Sequence, residues 1–445
     1  MSIFDRLNEP APENGDNPRK DADKGREPKL VSGQLGRRLI SQAALLEKVT
    51  KAFIAEYASS ERLKDADTQT KRIKLILEVV TYTLAVESVN LDDNQKAQLI
   101  ADAYGELFGY GPLDALFADE RITTIVLEGT DKSAVRYGHS ELTSIAPLFD
   151  DAEHIQRIIG RLLLDAGAEL REGTPYIETG LMVGSRPICL NLMAPPVTAQ
   201  LTADIRLHPA VLPTLENLVA QNFMDEKAAE FLRALVSSPH GFLIVGDTES
   251  GKTTLLSILA QMLPSPETVV SVERAGEMRL PPGAQRLMTQ WAAADQPGKT
   301  FGAQISAALE RNPACILLDE VRADEPETIA PLLSDPNPPR QIWSFRGTVE
   351  AKRLHSALGM LARRANMARA EEMAIALNRR LPFAITLRRR SSQLQIYNIG
   401  EWAFQPDAEY PTYKLLMELQ DGILQPTGHL PHHELNLPQE FWLQR

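Results

Sequence analysis

A chain of 445 residues with 59 acidic and 47 basic side chains has a formal net charge of −12. That balance excludes a dominant nucleic-acid role, which needs a concentrated basic face, and leaves room only for a local basic groove. A hydrophobic content of 43% fits a soluble globular protein of two to four domains, and no apolar run approaches the ~20 residues of a membrane span.

The N-terminal segment Met1-Ser2-Ile3-Phe4-Asp5-Arg6 has no secretory apolar region. Residues 1–32 are expected to be a disordered tail, polar and rich in proline, glycine and mixed charge from about Asn8 to Lys29. Helical periodicity follows in Leu39, Ile40, Ala43, Leu46, Val49, Phe53, Ile54 and Tyr57, and again in Ile73, Ile76, Val80 and Leu84. A third helix is expected after Asn90 as N-cap, with Asp92 and Asp93 in its first turn, running to Phe108. Residues 33–108 therefore make a small helical bundle.

Gly109-Tyr110-Gly111-Pro112 is a break, after which the texture changes. Strands at 122–127, 133–137, 178–186, 188–193 and 201–207, with a helix over 155–164, predict an α+β domain at 109–213. Pro209 and Pro213 punctuate a linker, 215–236 is helical, and alternating strands and helices predict an α/β domain at 214–390. Residues 391–445 form a C-terminal extension with a strand at 394–399 and many loop residues. Cys189 and Cys315, both in apolar strand-like runs, are expected to be small core residues rather than a disulfide, which fits a reducing cytoplasm.

Gly246-Asp247-Thr248-Glu249-Ser250-Gly251-Lys252-Thr253 fits G-x-x-x-x-G-K-[ST], the loop that cradles nucleotide phosphates. A strand at 242–245 and a helix at 254–260 flank it, the arrangement that this chemistry requires. The glycines let successive N–H groups point at one anion, and the positive end of the following helix adds to that field. The nucleotide-binding set runs from Gly246 through Asp247, Thr248, Glu249, Ser250, Gly251, Lys252 and Thr253 to Thr254. Lys252 would reach the β- and γ-phosphates, and Thr253 would ligate Mg²⁺. A decoy, Gly298-Lys299-Thr300, lacks the first glycine, since Ala293 stands there.

Two further strands end in acids. Ala314 to Leu318 runs into Asp319-Glu320 about 65 residues after the loop, where Asp319 can hold the Mg²⁺ shell and Glu320 can orient or deprotonate water. Thr268 to Val272 runs into Glu273-Arg274. Glu273 is either an ordinary strand terminus or the base that polarises the attacking water.

With these elements in place the chain resembles the secretion and pilus traffic ATPases, its tight-adherence pilus motor branch above all, from roughly Leu39 to the C-terminus. Gly109-Tyr110-Gly111-Pro112-Leu113-Asp114-Ala115-Leu116-Phe117-Ala118-Asp119 looks like the entry into that family's N-terminal domain. Ala308-Leu309-Glu310-Arg311-Asn312-Pro313 and Asp319-Glu320-Val321-Arg322 match the segment through its Walker B strand. The resemblance implies a RecA-like P-loop NTPase domain preceded by a PAS-like α+β domain and the helical bundle. It implies ATP and Mg²⁺ as cofactors and a homo-oligomer, a hexameric ring. It also implies as partner an inner-membrane platform protein of a pilus or secretion system, and a cytoplasmic location, peripheral at the inner face of the membrane. It places Glu273 as catalytic base, Glu320 as the Walker B glutamate, Arg322 as the arginine after it, and Arg206 as an arginine reaching the nucleotide; the other reading of Arg206 is a surface strand arginine. Arg186 is a weaker candidate of the same kind.

The chain departs from the family at several points. Arg274 replaces an aspartate, Arg346 replaces a histidine in Ser344-Phe345-Arg346-Gly347-Thr348, and Gly180 stands where an arginine is common. Asp335-Pro336-Asn337-Pro338-Pro339-Arg340 replaces a small, glycine-rich approach, and Asp247 and Glu249 replace small residues in the phosphate loop. Two acids beside a phosphate cost Coulomb energy that Lys252 and Mg²⁺ can offset. Two functions are therefore carried forward: an ATP-hydrolysing ring motor, and a hydrolysis-poor nucleotide-binding subunit acting as a regulatory or structural ring partner. A GTP switch lacks its Asn-Lys-x-Asp, and the acidic balance opposes a nucleic-acid translocase. His429, His432 and His433 are expected to be a solvated tail rather than a metal site.

Overall fold

The computed structural model describes residues 30–32, 39–171, 173–264, 268–292, 297–322, 329–335, 337–347, 351–390, 393–403 and 411–442. It is a mixed α/β fold divided into two compact units. The first comprises Met1–Asp119, Leu127–Ala134 and Ser144–Leu162, and the second comprises Glu120–Val126, Val135–Thr143 and Leu163–Arg445.

In the first unit β1 (Leu30–Ser32) pairs antiparallel with β2 (Leu39–Ser41). The rest of the expected tail lies outside the described residues. Helices Gln42–Tyr57, Gln69–Glu87 and Asp93–Phe108 follow. Their stripes meet in one core, with Leu45, Val49, Phe53, Ile76, Val80 and Leu99 at or below 2% exposure. The third helix is capped by Asp92, not Asn90. Asp92 Oδ1 accepts from the Gln95 N–H at 2.8 Å, and Gln95 Oε1 accepts from the Asp92 N–H at 3.1 Å. This reciprocal box satisfies two N–H groups, which an N-cap two residues earlier does not.

β3 (Ile122–Glu128), β4 (Lys132–Tyr137), β5 (Thr143–Ile145), β6 (Tyr176–Val183), β7 (Arg186–Met193) and β8 (Thr202–Leu207) form a six-stranded sheet in the order β5-β4-β3-β8-β7-β6. The single helix expected over 215–236 is two, Leu215–Ala220 and Glu226–Ser237. Asn222 takes a left-handed φ of 56° and Asp225 caps the second helix by accepting from the Ala228 N–H at 2.8 Å.

β9 (Phe242–Gly246), β10 (Val269–Glu273), β11 (Gln285–Met288), β12 (Cys315–Val321), β13 (Arg340–Arg346) and β14 (Phe383–Arg390) are the parallel part of a nine-stranded sheet. The order is β11-β10-β12-β13-β9-β14-β15-β16-β17. The expected strand at 394–399 extends over β15 (Gln393–Ala403), and β16 (Thr412–Gln420) and β17 (Ile423–Pro426) continue the sheet antiparallel.

The parallel strands read as unbroken apolar runs because both faces are covered. Phe242, Ile244, Cys315 and Leu317 pack into one core, and Leu243, Val245, Ile316 and Leu318 into another on the opposite face. Cys189 and Cys315 are both buried in the core. Parallel alignment brings the carboxyl ends of β9, β10, β12 and β13 to one edge, with Glu273 paired in register with Asp319 and Arg346 with Gly246. That edge is where ligands bind in such sheets. Among the described residues no helix is long and apolar enough to cross a membrane.

Candidate functional site

The chain leaves β9 through the phosphate loop and enters helix Lys252–Gln261 at Gly251. Gly251 has φ 87°, a conformation that glycine adopts without strain. Lys252 is 5% exposed, so its charge is held by partners rather than solvent. Its Nζ donates to the Asp247 carbonyl at 2.8 Å and lies 3.0 Å from Glu320 Oε2. Thr253 Oγ1 donates to Asp319 Oδ1 at 3.1 Å, and Ser344 Oγ donates to the same oxygen at 2.6 Å. The loop and the end of β12 are thus joined by an ion pair and a hydrogen bond, 66 or more positions apart in sequence.

A cavity of about 520 Å³ opens beside this junction, the size of a site for a nucleotide-sized ligand. Residues 249–255, Asp319, Glu320 and Arg206 line it. Gly246, Asp247 and Thr248 do not; the Asp247 side chain is exposed. The buried Ser250 hydroxyl has no hydrogen-bond partner among the described residues. Burial, with Glu277, Glu273 and Glu320 nearby, pushes the Asp319 carboxyl up to about 7. Burial also opposes ionisation of Glu320, but Lys252 and Arg322 more than offset it and hold that carboxyl below the usual range.

The residue expected as base does not reach the cavity. Glu273 is fully buried and does not line the cavity. Its carboxylate accepts from Ser271 Oγ at 2.7 Å, Arg286 Nε at 2.9 Å and the Met278 N–H at 3.0 Å. Burial raises its pKa against the pull of Arg286. The β10 alternation that buries Ser271 buries Glu273 on the same face. Glu277, four residues on, does line the cavity and is bonded to His208 Nε2. Burial works to raise its pKa, but His208 and Arg206 hold it low.

Arg206 lies on the cavity with Nε 3.7 Å from Asp204 Oδ1. Burial lowers its pKa, but Asp204 and the other anions nearby raise it further, so it stays a cation. Arg186 is spent inside its own sheet region, donating to the His208 carbonyl at 3.1 Å and the Ile122 carbonyl at 2.6 Å. Arg274 stacks 4.5 Å over the Phe301 ring and donates to the Glu320 carbonyl at 3.0 Å, which ties the end of β10 to the end of β12. Arg322 bridges Glu178 at 2.6 Å and Glu320 at 3.3 Å. Arg346 is exposed and does not line the cavity, while Thr348 lies outside the described residues. The histidines near the C-terminus, expected in a solvated tail, are in part anchored to the sheet. His433 Nδ1 and the His432 and His433 N–H groups each lie 2.7 Å from the buried Glu401 carboxylate, and no group of described residues is placed to hold a metal.

The loop acid Glu249 has partners that sequence reasoning missed. Thr124 Oγ1 donates to its Oε1 at 2.6 Å, Arg136 pairs with its Oε2, and Arg389 Nη1 lies 3.5 Å from the same oxygen. These come from β3, β4 and β14, at sequence separations of 113 to 140. The arginine run 388–390 at a strand end is the one trace of this cluster in the sequence.

Residues 175–332 match a family model described as type II/IV secretion system protein. Over 226 residues the chain is 30% identical to a Mycobacterium tuberculosis protein named for conjugal transfer, covering 49% of this chain and 64% of that one. Over 100 residues it is 34% identical to the type IV secretion system protein PtlH of Bordetella pertussis, covering 22% and 29%. The chain therefore spans less than two thirds of the length of these relatives. It is also similar to the solved structure of the Legionella pneumophila ATPase DotB, at 14% identity and a TM-score of 0.47, covering 67% of this chain and 81% of that one.

Proposed function

Because the chain belongs to the type II/IV secretion ATPase superfamily, we propose that it is a Mg-ATP-hydrolysing motor subunit. On this reading a RecA-like domain carries the phosphate loop, a PAS-like domain and a helical bundle precede it, and copies assemble as a hexameric ring. The ring works peripherally at the cytoplasmic face of a membrane, against a platform protein, in pilus assembly of the tight-adherence kind or in secretion. The observation that carries the reading is the junction of Lys252 with Glu320 and of Thr253 with Asp319.

The donor set fits the cofactors. Hard oxygens from Thr253 and Asp319 suit Mg²⁺, while a lysine, a helix N-terminus and an unpartnered Ser250 hydroxyl suit phosphate oxygens. Bound Mg²⁺ would neutralise charge on the phosphates. With nucleotide bound, Lys252, now paired with Glu320, would hold the phosphates, and Glu320 would then be available to polarise water. Arg206 offsets charge on the terminal phosphate, and Glu277 keeps Arg206 and His208 oriented. Glu273, off the cavity, acts not at the reacting atoms but through its charge, which helps to raise the Asp319 pKa.

A second reading, a hydrolysis-poor ring partner, is favoured by one observation: the Glu273 carboxylate is occupied by three donors and absent from the cavity. Phosphate release from Mg-ATP by wild type, Lys252→Ala, Glu320→Gln and Glu273→Ala separates the two. The motor reading expects turnover that Lys252→Ala abolishes and Glu320→Gln lowers about a hundredfold. Nucleotide binding without any Lys252-dependent turnover overturns it and leaves the second reading.

The raised Asp319 pKa gives a pH signature. The folded carboxyl keeps its proton up to about pH 7, so a divalent cation must displace that proton below pH 7 and not above. The Mg²⁺ concentration that half-saturates nucleotide binding is expected to rise as pH falls below 7, by up to about tenfold per unit, and to level off above. Titrations at pH 6, 7 and 8 check this, and Asp319→Asn should flatten the slope to the part that the titration of the terminal phosphate itself leaves.

A further inference from the structure

Glu249 sits in the phosphate loop at φ 58°, a left-handed conformation uncommon for a residue with a side chain. Its carboxylate lines the same cavity as Lys252 and so does the pair of arginines that it holds. Arg136 and Glu249 are only 13% and 22% exposed, and Arg389 21%. A carboxylate so placed opposes a polyphosphate, which brings up to about four negative charges into that space. Guanidinium forks, in contrast, match phosphate oxygens in pairs.

We infer that Glu249 stands in for the terminal phosphate, holding Arg136 and Arg389 at the cavity until a nucleoside triphosphate displaces it and takes both arginines. This rests on the nucleotide-binding reading above and adds a triphosphate-sensing exchange to it. The arginines are built to stay when the carboxylate leaves. Arg389 Nη2 is anchored on its far side by the carbonyls of His139 at 2.7 Å and Ser140 at 3.0 Å. The buried Arg136 Nε has no hydrogen-bond partner among the described residues, so this guanidinium has a donor to spare. A diphosphate lacks the group that would reach them and leaves Glu249 where it is. The loop is thus tied to β3, β4 and β14 without a triphosphate and released from them with one.

Binding of ADP and of a non-hydrolysable ATP analogue, each with Mg²⁺, tests the exchange by calorimetry on wild type and Glu249→Gln. The amide keeps the side chain's size and an acceptor for Thr124 but holds the arginines weakly. Affinity for the ATP analogue is expected to rise about tenfold, the strength of a half-buried ion pair, with ADP changing less than about threefold. Arg389→Gln supplies the converse, losing affinity for the analogue and not for ADP. Equal changes for both nucleotides, or a weakened analogue in Glu249→Gln, overturn the exchange while Lys252-dependent binding by wild type stands. Absence of Lys252-dependent binding in wild type removes the nucleotide reading itself and this inference with it.

Discussion

Lys252→Ala is expected to weaken Mg-ATP binding by about a hundredfold and to bring phosphate release to background, because the substitution acts twice. It removes the cation from the phosphate site. It also leaves the Glu320 carboxylate, 18% exposed, with Arg322 as its remaining partner at 3.3 Å, so an under-compensated negative charge faces the incoming phosphates. Breaking one side of a buried pair costs ~3 kcal/mol or more, mostly through the charge left behind. The two contributions separate in Lys252→Ala/Glu320→Gln. The neutral amide relieves the unpaired charge, so the double variant should regain thermal stability that the single variant lost. It should not regain binding, because nothing replaces the cation. Calorimetric titration beside a melting curve reads both, and binding within about threefold of wild type in Lys252→Ala would falsify the assignment of the loop.

Local chemistry makes much of this site legible in the amino-acid sequence. The four fixed positions of the loop name a backbone conformation, and Gly251 at φ 87° takes it. Apolar strands ending in acids place Asp319 and Glu320 opposite the loop, because parallel strands align their carboxyl ends. Side-chain direction at a strand end is not legible in the same way. Glu273 and Glu277 are both acids within one segment, and the turn between them decides which faces the cavity. Arg274 has the same character: the sequence shows only that it replaces an aspartate, and its contacts with the Phe301 ring and the Glu320 carbonyl, at the lining of the cavity, come from the fold. The partners of Glu249 are hidden for a different reason. Arg136 and Arg389 are brought to it by long-range pairing, for which a single sequence has no periodicity. The capping box at Asp92 and the split at Asn222 are local, yet each turns on a choice between neighbouring polar residues that propensity ranks alike.

Gly180 shows how a departure from the family pattern can be a packing requirement. A Cβ on this β6 residue would lie 2.0 Å from the Ala275 carbonyl oxygen and 2.6 Å from that of Ile188. Both obstacles are backbone, so neither can turn aside as a side chain would. Ala275 sits between Arg274, which pins the end of β12, and Glu277, which faces the cavity. Two residues before Gly180 on the same strand, Glu178 holds Arg322 at 2.6 Å and accepts from Trp291 Nε1 at 2.8 Å through its carbonyl. Gly180→Ala must therefore move β6 away from the 274–277 segment, and both sets of contacts move with it. The expected cost is ~3 kcal/mol, an overpacked site with no room to relax, seen as a Tm lower on the order of 5–10 °C. Gly180→Arg, which writes the residue common in the family at this position, should do worse on stability and should not improve nucleotide binding, because the side chain has no path past the Ala275 carbonyl. If Gly180→Ala melts within a degree of wild type, or if Gly180→Arg binds Mg-ATP more tightly than wild type, the close approach of β6 to Ala275 is not what excludes a side chain there.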